Sequence, residues 1–208
     1  MSRVVLCRCK SRKLVQFPEN IDDDLKAFDE VVYIDDLCSS VLENPEKLRE
    51  ICDSETVVLA CHKRAVNALL DYAKAGKVKE VFDFRSGDIS AFNSYLNALP
   101  KGEFSSTEIR ESSNAWYPCV DYDLCVNCLK CMDFCVFGVY AKVDGKLKVV
   151  APNNCKDNCP ACARVCPKSA VIFPKCPDLK ISGKQEEEVP AEDFYDLLKK
   201  RKRRNVLK

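Results

Sequence analysis

The sequence predicts an α/β domain with a parallel sheet at the N-terminus and, after it, a small α+β domain organised around cysteine. Three observations carry this reading. Short Val- and Ile-rich runs alternate with helix-like segments through residues 1–100, the pattern of a parallel sheet whose strands are buried on both faces. Eight of the fifteen cysteines crowd into two runs between Cys125 and Cys166. Between the two regions, residues 101–115 are polar and Ser-rich, the composition of a linker. Residues 116–177 then hold the cysteine runs, and 178–208 read as a polar linker followed by a basic C-terminal helix.

Taken in order, the first strand is Arg3 to Cys7, and a helical stretch from Asp22 to Phe28 leads to the second strand, Glu30 to Ile34. Pro45 to Cys52 reads as a helix because Asn44 suits an N-cap and Pro45 the first helical position. Thr56 to Ala60 is the third strand. Lys63 to Ala75 is a helix that stops at Gly76. Val78 to Phe84 is the fourth strand, and Ile89 to Leu99 is a helix ended by Pro100. Beyond the linker, the order strand, cysteine loop, short helix, strand occurs twice. Pro118 to Asp121 and Val139 to Val143 frame the first loop, and Lys146 to Val150 and Val171 to Phe173 frame the second. Asp144-Gly145 is a hairpin turn between the halves. The last 18 residues, 191–208, place Asp and Glu first and a basic run last, as a helix dipole favours. A solvated terminal helix is one reading of them and a docking tail for an acidic partner is the other.

The first cysteine run, Cys125, Cys128, Cys131 and Cys135, has the spacing C-x₂-C-x₂-C-x₃-C. The second is Cys155, Cys159, Cys162 and Cys166, followed by Pro167. Residues 117–175 resemble the dicluster ferredoxins of bacterial type, in which the fourth cysteine of each run ligates the other run's cluster. The resemblance implies one [4Fe–4S] cluster on Cys125, Cys128, Cys131 and Cys166, and a second on Cys135, Cys155, Cys159 and Cys162. Zinc prefers two C-x₂-C pairs separated by a longer loop, and disulfides need an oxidising compartment. The spacing of Cys155, Cys159 and Cys162 also resembles a radical-SAM loop, but the chain is too short to add that barrel. Two departures stand out. Val136 replaces the usual proline after Cys135, and three residues, 156–158, separate Cys155 from Cys159 where two are usual. Both should reshape the surroundings of the Cys135 cluster. Tyr117, Tyr122, Phe134, Phe137 and Tyr140 read as a shell that keeps water off the clusters, and Trp116 and Tyr117 as packing between the domains. Cys119 and Cys176 read as structural thiols. With so little core of its own, this domain is expected to owe its stability largely to the clusters.

In the first domain, Cys7 and Cys9 follow the first strand, Cys38 lies just past the second and Cys61 ends the third. The carboxyl ends of strands in an open parallel sheet share one edge, where ligands bind. Cys7, Cys9, Cys38 and Cys61 therefore converge on one rim, as a third iron–sulfur cluster, as a redox-active thiol centre or as plain core packing. Cys52 reads as core. His62, Lys63 and Arg64 sit where they could lower a neighbouring thiol's pKa. Val4-Val5-Leu6-Cys7-Arg8-Cys9, Asp36-Leu37-Cys38-Ser39 and Val57-Val58-Leu59-Ala60-Cys61 together resemble the N-terminal domain of the A subunit of heterodisulfide reductases. That family continues into a flavin domain. This chain has no G-x-G-x-x-G and passes straight to the cysteine runs, so no flavin site is evident.

The 33 basic and 32 acidic residues nearly balance, which argues against a nucleic-acid partner. No apolar run is long enough for a membrane span, and the N-terminus has no signal-peptide pattern. The expected setting is the reducing cytoplasm of an anaerobe. The expected role is a relay of single electrons through two [4Fe–4S] clusters, as the electron-transfer subunit of an oxidoreductase complex rather than a stand-alone enzyme. Its partners would then be a flavoprotein or metalloenzyme subunit. The alternatives are a thiol–disulfide reductase using the N-terminal cysteines, and a docking adaptor.

Overall fold

The computed structural model of the chain describes residues 2–99 and 104–184. The basic C-terminal helix expected at 191–208 lies outside the described residues. Five strands form one wholly parallel sheet: β1 Arg3–Cys7, β2 Glu30–Ile34, β3 Thr56–Ala60, β4 Glu80–Asp83 and β5 Ser105–Ile109. Their order is β4-β3-β1-β2-β5. The strands are short apolar runs because helices cover the sheet: α1 Ile21–Leu25, α2 Leu37–Glu43, α3 Pro45–Ile51, α4 Lys63–Ala73 and α5 Ser90–Asn97. Helix α4 buries Ala65, Val66, Leu69, Leu70 and Ala73, a 3–4 spacing that makes one apolar stripe. Helix α5 brings Phe92 into an edge-on aromatic cluster with Phe82 and Phe84.

Three local readings are corrected. Residues 105–109, taken as linker, form the edge strand β5 on β2. Four of its five residues are exposed, so it carries no apolar alternation; Ile109, its buried residue, reaches the core. Gly76 is not the stop of α4, which ends with Lys74 in the left-handed region at φ 56°. Gly76 is required for a different reason: a Cβ there would meet the Cys52 carbonyl oxygen at 2.6 Å. Residues 178–184, taken as the start of a polar linker, fold back on the body. The Phe173 amide donates to the Ile181 carbonyl at 2.9 Å, and Ser182 is fully buried.

The cysteine-rich region is a pseudo-two-fold unit. Strand β6 (Cys119–Val120), helix α6 (Lys130–Phe134) and strand β7 (Tyr140–Val143) make the first half. Strand β8 (Lys146–Val149), helix α7 (Ala161–Arg164) and strand β9 (Val171–Ile172) make the second. The inner strands β7 and β8 pair antiparallel, and the outer strands β6 and β9 pair with each other. Asp144 and Gly145 both have positive φ, 50° and 77°, as a tight hairpin turn demands. The repeat extends to the loop backbone. Asn127 and Asn158, each just before a cysteine, share φ values of 53° and 58°. Gly138 and Ser169, each three residues after the last cysteine of its run, share 66° and 49°.

The two regions meet on a continuous seam. Tyr117, Cys119 and Ile172 belong to the core of the sheet domain. The Arg12 guanidinium lies 5.4 Å from the centre of the Trp116 ring, and the Tyr117 hydroxyl donates to the Cys38 carbonyl at 2.8 Å.

Candidate functional site

Each interlocked set of four cysteines lines its own pocket. Cys125, Cys128, Cys131 and Cys166 line one, together with Leu129, Leu147, Pro167 and Val171. Cys135, Cys155, Cys159 and Cys162 line the other, walled by Phe134, Phe137, Val139 and Tyr140. The loops reach around these pockets because Asn127, Leu129 and Asn158 take left-handed backbone conformations beside the cysteines. The Asn127 side chain also accepts from the Leu147 amide at 3.0 Å, which ties the first loop to β8. The pockets differ in volume, about 340 Å³ for the Cys135 set and about 10 Å³ for the Cys125 set.

The donor chemistry fits such a group. Burial, then neighbouring thiols, push Cys131 and Cys155 up to about 12. Cys162 is pushed up to about 11 by burial, against the Tyr140 hydroxyl, which donates to its sulfur at 3.1 Å. Thiols that resist ionising together become thiolates when a cationic group is bound among them. The Ala170 amide donates to the Cys166 sulfur at 3.3 Å, a second hydrogen bond of the kind that tunes a cluster. Cys128 is exposed, whereas Cys131 and Cys162 are buried. Among the described residues, no three His, Cys, Asp or Glu side chains close on the position of a single metal ion.

The rim of the sheet brings the N-terminal thiols together. The connections leaving β1 and β3 run in opposite directions across the sheet, so the crevice between these strands is its switch point. Cys7 ends β1 and Cys61 follows β3, one on each side of that crevice. Cys9 turns back with φ 46°, and Cys38 lies in the first turn of α2. Asp36 caps α2, accepting from the Ser39 amide at 3.1 Å, and the Leu37 amide donates to the Cys7 sulfur at 3.3 Å. Burial, then the charge of neighbouring groups, raises Cys7 and Cys38 well above the ordinary thiol value. Cys61 is pushed up to about 12 by burial and then by Cys9. Adjacent strand ends thus carry Cys7 and Cys61, and the Leu37 amide joins Cys7 to the turn that carries Cys38.

The expected activation of Cys61 by its basic neighbours is overturned. Lys63 pairs with Glu80 at 2.5 Å, and Arg64 pairs with Asp121 at 2.5 Å, so both charges are drawn away. His62 is buried, and its Nδ1 lies 2.8 Å from an Asp83 carboxylate oxygen. The thiols read as structural, Cys52, Cys119 and Cys176, are all buried.

Sequence reasoning found Tyr117 at the seam but missed the basic residues that join the two regions. Arg12 reaches Asp157 at 2.7 Å and Asn158 at 2.9 Å, across to the second cysteine loop. Arg64 also donates to the Ser169 carbonyl, and Arg85 donates to the carbonyls of Pro174 and Cys176, both at 2.6 Å. Lys175 pairs with Asp36 at 3.0 Å where both side chains are almost wholly buried. No local spacing marks these basic residues, because their partners lie far along the chain.

No family model matches the chain. An uncharacterized ferredoxin of Methanocaldococcus jannaschii is 36% identical to it over 91 residues, which make up 43% of this chain and 62% of that protein. The chain thus spans about three fifths of the relative's length. The likeness accords with the fifteen cysteines of an iron–sulfur protein. Among the described residues, no helix is long and apolar enough to cross a membrane.

Proposed function

We propose that this chain is an iron–sulfur electron-transfer protein that holds two [4Fe–4S] clusters. Cys125, Cys128, Cys131 and Cys166 hold the first, and Cys135, Cys155, Cys159 and Cys162 the second. One observation carries the proposal: each interlocked set, drawn from both runs, lines a pocket of its own. The ferredoxin similarity supports the same reading. When bound, such clusters accept and release one electron at a time. The chain's own residues provide the surroundings. Tyr140 hydrogen-bonds Cys162, Phe134 and Phe137 wall the second pocket, and exposed Cys128 brings the first set to the surface. A flavoprotein or metalloenzyme subunit in the cytoplasm is the partner proposed for this relay.

The convergence of Cys7, Cys9, Cys38 and Cys61 at the switch point supports a third iron–sulfur centre in the sheet domain, on the same electron path. Iron and sulfide counted after anaerobic purification, together with EPR after reduction, test both statements. About twelve irons per chain, falling to about eight in Cys38→Ser, support three clusters. About eight irons in the unaltered chain, with disulfide reduction that Cys38→Ser abolishes, would instead favour a thiol–disulfide reductase. About four irons or fewer, with zinc present, would sink the two-cluster reading.

A further inference from the structure

Among the described residues, Lys175 and Asp36 are charged side chains that the fold buries together. Lys175 leaves the cysteine-rich region just after β9 and enters the sheet domain, where its side chain is 3% exposed. Its ammonium donates to Asp36 Oδ1 at 3.0 Å and to Asn114 Oδ1 at 3.1 Å. Asp36 is already satisfied as a helix cap. Its Oδ1 accepts from the Ser39 amide and hydroxyl, and its Oδ2 accepts from the Ser11 hydroxyl. A buried ion pair adds little net stability over apolar residues of the same size. What distinguishes the position is its neighbours. Lys175 and Cys38 line the same crevice with Trp116, Tyr117 and Phe173. Asp36 stands two residues before Cys38, and the Leu37 amide between them donates to the Cys7 sulfur at 3.3 Å. A carboxylate so placed opposes negative charge on a neighbouring sulfur, and the ammonium 3.0 Å from it offsets that charge.

We propose that Lys175 is a positioning residue for the rim centre, supplied by the cysteine-rich region to neutralise Asp36 and so raise the centre's reduction potential. The inference rests on the reading of Cys7, Cys9, Cys38 and Cys61 as a redox centre. Were a cluster held by Cys7, Cys9, Cys38 and Cys61, its reduction would add one electron, and with it one negative charge, near Asp36. Without the ammonium, the added charge faces an uncompensated carboxylate, and a low-potential one-electron donor must drive it harder. Docking of the two regions and readiness of the rim centre then become one event, since the same side chain serves both.

The test is an EPR-monitored redox titration of the full iron-loaded chain under anaerobic conditions, with the rim couple identified as the one lost in Cys38→Ser. Lys175→Met is expected to lower the equilibrium constant for reduction of that couple at least tenfold, about 59 mV for one electron. The other two couples should stay in place, and Lys175→Arg should restore most of the shift. Asp36→Asn keeps a capping side chain, removes the opposing charge and should move the rim couple the other way. It also serves if Lys175→Met fails to fold. A rim couple present but unmoved in both variants would overturn the role of Lys175 alone. An equal shift of all three couples would mark general damage and overturn it too. A wild-type chain with no couple that Cys38→Ser removes would overturn the rim centre and this inference with it.

Discussion

Residues 116–177 carry ten cysteines against five in residues 1–100, and the two regions also bury apolar surface very differently. In the sheet domain Leu25, Phe28, Ile34, Leu48, Leu59 and Leu69 are completely shielded from solvent. In the cysteine-rich region the pairings are two short two-stranded ladders, and Ile172, one of its best-buried side chains, belongs to the neighbouring core. Exposure runs the opposite way. Apart from Phe104, every large apolar side chain left exposed among the described residues lies beyond residue 116, with Val136 at 87% the extreme. A two-stranded sheet is marginal by itself in water. The sheet domain can therefore stand on burial, whereas the cysteine-rich region needs cross-links that burial does not supply, and bound clusters would be such cross-links.

Removing the clusters should break the comparison open. After anaerobic chelation of iron, amides of β6 to β9 should lose at least about a thousandfold of hydrogen-exchange protection, roughly 4 kcal/mol. Amides of β1, β2 and β3 should keep most of theirs. Equal loss in both regions would mean that the seam of Tyr117, Cys119 and Ile172 makes them one cooperative unit, and the contrast would fail.

Core truncation sharpens it from the other side. Leu59 on β3 is wholly buried, so Leu59→Ala should cost about 2–5 kcal/mol in urea unfolding, with or without iron. Leu147 on β8 is almost as buried and lines the Cys125 pocket. Leu147→Ala should cost less than Leu59→Ala while iron is bound, and more of its cost should appear once iron is removed.

The same contrast explains what could be read from the chain. Strands β1 to β3 were legible because a strand buried on both faces is a continuous apolar run, a local property. The two cysteine runs were legible for the same reason, while their division into interlocked sets is what the ferredoxin resemblance implies; each set lines one pocket. Strand β5 was not, since Ser105-Ser106-Thr107-Glu108 looks like any polar loop until β2 offers its edge. Helix α2 was missed because its seven residues are too few to display a period, although Asp36 capping Ser39 was a usable signal. The basic residues joining the regions were illegible in principle. Arg64 finds Asp121 across 57 positions and Lys175 finds Asp36 across more than twice that, and nothing local distinguishes them from surface charges.

Those joining residues give the next prediction. Arg64 bonds both Asp121, just before the first cysteine loop, and the Ser169 carbonyl, just after the last cysteine. Its side chain is 12% exposed, so Arg64→Ala strands a half-enclosed carboxylate and carbonyl. The expected loss is about 1.5–3 kcal/mol in urea unfolding, the range for hydrogen bonds to charged groups. Arg64→Lys should recover only part of it, because an ammonium lacks the planar fork that serves two acceptors. Full recovery by lysine would show that charge alone holds the seam.

The smallest expected effect concerns pH at the same seam. Glu43, the last residue of α2, accepts from the amides of Ser112 and Ser113 at 3.0 and 2.9 Å. It thereby fixes the segment that leads from β5 to Trp116. Hydrogen bonds from Ser113 and then Ser112 hold its carboxyl below the usual Glu value. A carboxyl lowered in the folded state contributes stability that is fully present above the unfolded-state pKa, about 4.3. That contribution is lost as pH falls through the lower, folded-state value. Glu43→Gln should therefore reduce stability slightly at pH 7 and flatten the decline of stability with acid below about pH 4. Because the carboxylate is solvent-screened, the change should stay below that of Arg64→Ala. A variant whose acid profile matched the parent's would overturn this role of Glu43.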